Sequence, residues 1–467
     1  MIKKYFTQKH LIYYNIFLTL AALFLYLFSP MHYNHTYILI TVFLFLVQAV
    51  PFTLLVSNGN YVNFYTLFFT SFFFINFFYA SVVYPINPYL LWIFSVPFNH
   101  DYITKGTALA LLASGCFITG ASFKYKKNNN LLIISKNYTG VQKTSFLITL
   151  LFLLFLAVVG PAFLSGSFTG ASTISTYVLL LLTCVMLLAS ILYFKQWRYN
   201  SNFTKVIFWS VNLFYIFLFL RVGDRGPALL QILLLFGLYA VYVKPIPKRY
   251  LAILGISGIL MMQIIGLGRV SDTNVEGTIV SRGVEKALNS NVLALTSSFI
   301  VNSRNLYVGL EYVDNEGINY GETYITYLLS PIPFGQRTFI AITGEHITGS
   351  ATFFTELAFS NNASFGLGTN LVADVYIAFG LTGVILMFGL LGSFIENYRN
   401  KLQRDGLHID IIYFSMLMYA VYLPRASMLT PLNIIVWTIA LSYLLRRIKV
   451  VLPYYRTYKL KFNNLKE

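Results

Sequence analysis

The sequence is poor in charge, in cysteine and in the common signatures of cofactor chemistry. Only 10% of the 467 residues are charged, whereas a soluble domain carries about 25%. Cys116 and Cys184 both fall within apolar runs, which favours two buried small side chains over a disulfide or a metal pair. The chain has no HExxH or DxD motif, no clustered His and Cys, no Walker loop and no nucleophile elbow. We therefore predict no metal and no cofactor, and ATP-driven transport and Ser-His-Asp catalysis are disfavoured.

Apolar runs make up most of the chain. Hydrophobic residues account for 57% of it, and the mean hydropathy is +0.67. A membrane-spanning helix needs about 20 apolar residues, and twelve runs approach that length: Leu11–Phe28, Thr36–Val56, Val62–Tyr84, Thr107–Phe123, Thr144–Phe163, Thr176–Phe194, Val206–Leu220, Pro227–Val243, Tyr250–Leu267, Leu371–Ile395, Ile409–Leu423 and Leu432–Leu445. The sequence predicts an all-α polytopic membrane protein with about 12 transmembrane helices.

The basic residues predict the orientation of these spans. Loops on the cytoplasmic side carry an excess of Lys and Arg. If Lys3 and Lys4 are cytoplasmic and the spans alternate, nine of the 33 Lys and Arg residues face outward and the other 24 face inward. Both termini are then cytoplasmic. The net charge of +17 follows from this topology, because the basic residues lie on short loops, so we predict no nucleic-acid partner.

One predicted outer loop is far longer than the others. It runs from residue 268 to 369 and is large enough to fold as a small domain with short helices. Apolar residues recur at helical spacing in Ile279–Leu288, which predicts an amphipathic helix lying on the membrane. We therefore divide the chain into an N-terminal bundle (1–267), the loop domain (268–369), C-terminal membrane helices (370–445) and a basic cytoplasmic tail (446–467).

Seven of the nine outward-facing basic residues are arginine. The planar guanidinium binds phosphate and carboxylate through two parallel hydrogen bonds, which lysine cannot do. The excess of arginine over lysine therefore indicates a phosphate or pyrophosphate ligand at the outer face. Arg221 and Arg225 are four residues apart and would share a face of a helical turn. Gly223 would let the backbone approach a ligand, and Pro227 suits the start of a helix, whose N-terminus favours anions. The alternative is that these arginines contact lipid headgroups.

The other predicted site residues are spread along the chain. Arg269 follows the ninth span and serves either a ligand or as an anchor at the membrane boundary. Arg425 sits in a short turn after Pro424, where we expect it to point into a cavity. Arg282, Arg304 and Arg337 lie among acidic residues of the loop, so solvated ion pairs are the alternative for them. Candidates for a general base are His346, Glu356 and, third, Asp374.

This plan resembles the Wzy-type O-antigen and capsule repeat-unit polymerases of bacteria. The resemblance rests on the many spans, the large late loop, the helix-opening turn Gly223–Pro227 and the segment Ala378–Val384. It implies a glycosyltransferase of the bacterial plasma (inner) membrane, with a GT-C-like fold similar to that of O-antigen ligase.

The resemblance also implies a reaction and partners. A sugar hydroxyl of one repeat unit attacks the anomeric carbon of a glycan carried on undecaprenyl pyrophosphate, and the lipid pyrophosphate leaves without help from metal. Arginines in the outer loops of the family serve the pyrophosphate. Arg221 and Arg225 are then catalytic, together with His346 or Glu356 as base, and the substrate-binding residues are Arg269, Arg304, Arg425, Arg282 and Arg337. A chain-length regulator and a flippase are implied as partners.

Three alternatives stay open at this stage. An O-antigen ligase-like transferase would pass the glycan to lipid A or to a protein. A polysaccharide or lipid-linked oligosaccharide flippase would be expected to show repeated halves and charged or broken helices at mid-membrane, whereas here the polar residues concentrate in one loop. A sensor or adhesion protein would use the loop as its binding domain.

Overall fold

The computed structural model describes residues 8–57, 59–126, 136–139, 141–159, 173–247, 263–268, 279–289, 300–360, 366–402, 406–449 and 452–455, with isolated positions between 255 and 296 and at 363. The helices within these ranges are α1 (Gln8–Leu27), α2 (His35–Ser57), α3 (Phe64–Phe73, continued by a π-helix over Phe74–Val83), α4 (Tyr102–Lys124), α5 (Val141–Val159), α6 (Thr173–Lys195), α7 (Asn202–Val222), α8 (Arg225–Tyr242), α9 (Ile279–Leu288), α10 (Ser303–Glu316), α11 (Glu322–Leu329), α12 (Gly335–Thr343), α13 (Ser350–Phe359), α14 (Leu371–Lys401), α15 (Leu407–Tyr419) and α16 (Leu432–Arg447).

Eight of these helices are long and apolar enough to cross a membrane: α1 to α4, α6 to α8 and α14. They coincide with eight of the predicted spans, so the prediction of a polytopic helical membrane protein is confirmed. Three further predicted spans correspond to α5, α15 and α16. Helix α15 ends at Tyr419, short of the predicted boundary, and a 3₁₀ turn containing Pro424 follows it. The predicted span 250–267 lies largely outside the described residues.

The long loop contains short helices, and α9 has the bounds that the sequence predicts. Its residues Val280, Val284 and Leu288 are exposed, as the apolar stripe of a surface helix should be. On another face, Gly283 lies so close to the helical residues 263–268 that an added Cβ would be 1.9 Å from the carbonyl oxygen of Ile264. A side chain at Gly283 would therefore separate the two segments.

The chain divides into two compact units that alternate along the sequence. Unit 1 comprises Met1–Lys124, Ile246–Glu396 and Tyr419–Asn433. Within it α14 packs tightly on α4, since an added Cβ on Gly392 would be 1.9 Å from the carbonyl oxygen of Phe117. Close packing is the expected role of the glycines in this helix. Gly380 has a different one, because its φ of 64° and ψ of −159° place a kink in α14.

Unit 2 comprises Tyr125–Pro245, Asn397–Met418 and Ile434–Glu467. Strands β1 (Lys136–Thr139) and β2 (Leu452–Tyr455) pair antiparallel in it. The side chains of Lys195 and Asp410 form an ion pair and are only 7% and 0% exposed. Lys195 ends α6 and Asp410 lies in the first turn of α15, so each charge sits at the helix terminus that favours its sign.

Candidate functional site

Unit 1 buries a group of polar side chains around the start of α14. The group draws on the π-helix, on α10, α11, α13 and α14, and on the segment that follows Arg425. We call it the polar cluster. Its members are each at most 4% exposed: Asn76, Asn302, Arg304, Asn305, Tyr324, Ser350, Asn370, Asp374 and Ser427. Polar side chains buried in a membrane protein are costly and mark functional positions.

Asn370 joins three elements of the polar cluster. Its Oδ1 accepts hydrogen bonds from the backbone N–H groups of Val372 and Ala373, at 2.9 and 3.3 Å, and so caps α14. Its Nδ2 donates to Oδ1 of Asn76 at 2.9 Å and to the carbonyl oxygen of Asn302 at 3.3 Å. Asn76 lies in the π-helix, an element that is often found at functional sites. The start of α14 is thus fixed to the π-helix and to the residue before α10.

The chain that leads into α14 is bonded to α10 as well. Asn302 Nδ2 donates to the carbonyl oxygen of Leu367 at 2.8 Å, and Asn305 Nδ2 donates to that of Gly368 at 3.1 Å. Gly368 has a φ of +72°, a backbone conformation that favours glycine. These bonds hold the first turn of α10, which carries Arg304, in place beside the start of α14.

Arg304 is a buried cation with unused donors. It is 2% exposed, its Nη2 donates to the carbonyl oxygen of Pro97 at 2.9 Å, and its guanidinium lies 5.8 Å from the centre of the Phe98 ring. Burial lowers its pKa to about 10, and the carboxylate of Glu311 opposes that shift, so the group is cationic at neutral pH. Nε and Nη1 have no hydrogen-bond partner, although buried donors are nearly always paired. Two of the donor atoms of Arg304 are therefore not used by the protein.

Asp374 is a buried carboxyl whose hydrogen bonding is incomplete. It is 0% exposed, and its Oδ2 accepts from the N–H of Met428 at 3.4 Å. The hydroxyls of Ser350, Tyr324 and Ser427 lie close enough to stabilise its charge, yet Oδ1 accepts no hydrogen bond of good geometry. Burial, followed by the nearby Asp374 carboxylate, raises the pKa of the Tyr324 phenol well above its ordinary value. The phenol thus keeps its proton and can donate it in a hydrogen bond.

Arg425 lies on the same short segment that contacts Asp374. It closes the 3₁₀ turn Leu423–Arg425, its side chain is half-buried, and its guanidinium is 5.2 Å from the centre of the Tyr422 ring. Three residues later, the N–H of Met428 donates to Asp374. Two of the predicted pyrophosphate-binding arginines, Arg304 and Arg425, therefore belong to the polar cluster or to a segment bonded to it.

The remaining predicted residues of unit 1 lie nearer the surface. Arg282 is half-buried and its Nε donates to the carbonyl oxygen of Gly268 at 3.2 Å. Arg337, His346 and Glu356 are exposed, in contrast to the buried Asp374. Arg269 lies outside the described residues.

Unit 2 holds the turn that carries Arg221 and Arg225. Helix α7 ends at Val222, the following Gly223 has a left-handed φ of 82°, and α8 begins at Arg225. Oδ1 of Asp224 accepts from the N–H of Gly226 at 3.4 Å and caps α8. Arg221 is exposed and Arg225 half-buried. The expectation that the two share one helical turn is wrong, because Gly223 separates them onto different helices. Pro227 in the first turn of α8 agrees with the prediction.

Sequence reasoning missed most of the polar cluster. Its members come from positions 76 to 427, so no local motif connects them. A usable signal was Asn76, an amide within an otherwise apolar span, since polar residues inside spans indicate function.

Comparison with protein families gives one match. The family model described as O-antigen polysaccharide polymerase Wzy covers residues 11–456, which is nearly the full chain. No curated protein and no solved structure matches.

Proposed function

Because this chain belongs to the O-antigen polysaccharide polymerase Wzy family, we propose that it polymerises repeat units carried on undecaprenyl pyrophosphate at the outer face of the bacterial plasma membrane. The family establishes a membrane glycosyltransferase-type polymerase of lipid-linked repeat units. We add to this, as our proposal, undecaprenyl as the lipid and the outer face as the site of the reaction. We also propose twelve GT-C-like spans with both termini in the cytoplasm, and a flippase and a chain-length regulator as partners. The excess of basic residues in the predicted inner loops supports that orientation.

The observation that carries the mechanism is the unused hydrogen-bonding capacity of Arg304. In the proposed reaction the acceptor oxygen bonds to the anomeric carbon, the bond from that carbon to the pyrophosphate oxygen breaks, and its electron pair leaves with the lipid pyrophosphate. Negative charge therefore builds on the leaving group. Fixed donors that face such charge stabilise the transition state, because they need no rearrangement during the reaction. Nε and Nη1 of Arg304 offer two such donors, and Arg425 offers a second guanidinium.

The other predicted arginines have supporting roles in this proposal. Arg221 and Arg225 flank the start of α8, where helix N–H groups favour an anion. Arg269, Arg282 and Arg337 would contribute further positive charge, and His346 or Glu356 would serve as the base. Arg221 and Arg225 belong to unit 2, and Arg282, Arg337, His346 and Glu356 belong to unit 1.

The test uses full-length protein in liposomes with lipid-pyrophosphate oligosaccharide isolated from its own host, without added nucleotide or metal. A ladder of regular steps with released lipid pyrophosphate is expected. Arg304→Ala should lower the elongation rate by about 10²–10³-fold, while Lys286→Ala, which removes an exposed charge on α9, should not. A single addition to a different acceptor would indicate a ligase, and intact substrate with wild-type protein would refute the polymerase.

A further inference from the structure

Three polar atoms in the polar cluster are buried and lie near one another, and none of them makes a hydrogen bond of good geometry, although the two hydroxyls are close enough to the carboxyl to interact with its charge. They are Oδ1 of Asp374, the phenol oxygen of Tyr324 and Oγ of Ser427. They come from three elements: α14, α11 and the segment after Arg425. A single buried unpaired atom has several explanations, but three that meet at one carboxyl indicate a place for a ligand group.

The other fully buried carboxyls in the described part of the chain show what a structural carboxyl looks like. Glu396, on the same helix as Asp374, is 0% exposed and accepts a hydrogen bond from the Tyr65 hydroxyl at 2.7 Å. Asp410 is 0% exposed and is ion-paired with Lys195. Asp374 accepts a hydrogen bond from the N–H of Met428 at 3.4 Å, which is longer than the usual 2.9–3.0 Å or so, and the hydroxyls of Ser350, Tyr324 and Ser427 lie near its carboxyl. Asp374 thus has neither an ion pair like that of Asp410 nor a short hydrogen bond of good geometry like that of Glu396.

The chemistry of the three atoms fits a hydroxyl group. A ligand hydroxyl needs an acceptor for its proton and a donor for its oxygen. The Asp374 carboxylate is the acceptor, and the Tyr324 phenol, which keeps its proton, is the donor. The Ser427 hydroxyl can either donate or accept a hydrogen bond. A second carboxylate or a phosphate would fit poorly, because Asp374 would repel it.

We propose that Asp374, Tyr324 and Ser427 bind the attacking hydroxyl of the acceptor sugar, and that Asp374 takes its proton. The inference rests on the proposed polymerase function and assigns the base in place of His346 and Glu356. As the acceptor oxygen bonds to the anomeric carbon, its proton passes to Oδ1 of Asp374, and the electron pair of the breaking bond leaves with the lipid pyrophosphate.

The segment 425–428 gives this assignment a geometric basis. Met428 bonds to Asp374, and Ser427 adjoins the carboxyl, while Arg425 is on the same few residues. This segment thus carries Ser427, which would bind the acceptor hydroxyl, and Arg425, which would bind the departing pyrophosphate. A single short segment would therefore align the attacking group and the leaving group, as proximity catalysis requires.

The liposome assay described above tests this with Asp374→Asn, which keeps an acceptor for the Met428 N–H and the shape of the side chain. A general base contributes about 10²–10⁴-fold, so the elongation rate should fall by that factor. Tyr324→Phe should lower it by about 5–10-fold through one lost hydrogen bond. Glu396→Gln is the matched control on the same helix and should elongate at the wild-type rate.

Sodium azide separates proton transfer from a structural role. Azide can attack the anomeric carbon without losing a proton, which forms a glycosyl azide and releases lipid pyrophosphate. In Asp374→Ala, azide should raise that release by at least about tenfold, a bypass that a folding defect would not show. The inference would be overturned if Asp374→Asn elongated at a rate within about threefold of that of wild type. It would also be overturned if azide did not raise the release of lipid pyrophosphate by folded Asp374→Ala. Wild-type protein without a ladder would refute the proposed function itself, and the assignment of the base would fall with it.

Discussion

Removing one partner of the buried Lys195–Asp410 pair should destabilise unit 2 strongly. Both side chains are nearly inaccessible, at 7% and 0% exposure. When one member of such a pair is removed, the other charge stays in a low-dielectric site without its ion-pair partner, which costs about 3–5 kcal/mol. Lys195→Met and Asp410→Leu should each lower the free energy of unfolding by that amount, a large share of a typical total of about 5–15 kcal/mol.

The double substitution should recover most of the loss. With both charges replaced by apolar groups of similar size, neither is left buried alone, and such replacements are often neutral or stabilising. The double-mutant cycle should therefore show a coupling energy of several kcal/mol. The exposed pair Lys105–Asp314, with N···O 2.9 Å and side chains 30% and 37% exposed, is the control and should yield only about 0–1 kcal/mol.

Reversible unfolding in mixtures of dodecyl maltoside and dodecyl sulfate, followed by circular dichroism, gives these free energies. If the unfolding free energies of the single variants lay within about 1 kcal/mol of the wild-type value, the reasoning would be refuted, because the buried pair would then stabilise the protein no more than a surface pair does. Strictly additive losses would refute it as well, since additivity means that the two side chains do not interact.

The other predictions use the same protein and the liposome assay. Arg225→Ala should slow elongation more than His346→Ala, because Arg225 is proposed to stabilise the leaving group, whereas Asp374 takes the place of the exposed His346 as the base; equal rates would remove Arg225 from the site. Gly392→Ala should lower the unfolding free energy by about 1–3 kcal/mol through overpacking against Phe117, and equal melting temperatures with wild type would contradict this. Gly389→Ala is its control, because that added Cβ would be 3.9 Å from the nearest atom, an ordinary contact.

The membrane helices could be predicted because each depends on its own stretch of sequence. A run of about 20 apolar residues is enough to indicate a span, and α1, α2 and α4 appear close to where the sequence places them. Helix α9 could be predicted to the residue, since its apolar stripe repeats at helical spacing. The ends were harder to predict, because α15 ends at Tyr419 and Pro424 lies in the 3₁₀ turn that follows it.

The polar cluster could not be predicted, because tertiary contacts assemble it. Asn76 and Asn370 are 294 positions apart in the chain yet share a hydrogen bond of 2.9 Å. Arg304 resembled any charged loop residue in the sequence, and only its burial distinguishes it. The prediction that Arg221 and Arg225 share a face of one helical turn was wrong for a different reason. Gly223 adopts a left-handed conformation that ends the helix, so a spacing of four residues does not place the two side chains on one helix face.

The alternation of the two units along the chain has a consequence for biosynthesis. Unit 1 takes its first piece from Met1–Lys124 and its last from Tyr419–Asn433, and the latter includes Ser427 of the polar cluster and Met428, whose N–H donates to Asp374. During synthesis at about 5–20 residues per second, the first four spans must wait roughly 15–60 s in the membrane before their final contacts exist. Until then, polar side chains of these spans lack their later partners inside unit 1. We expect the membrane insertion machinery to hold the incomplete bundle until those contacts form.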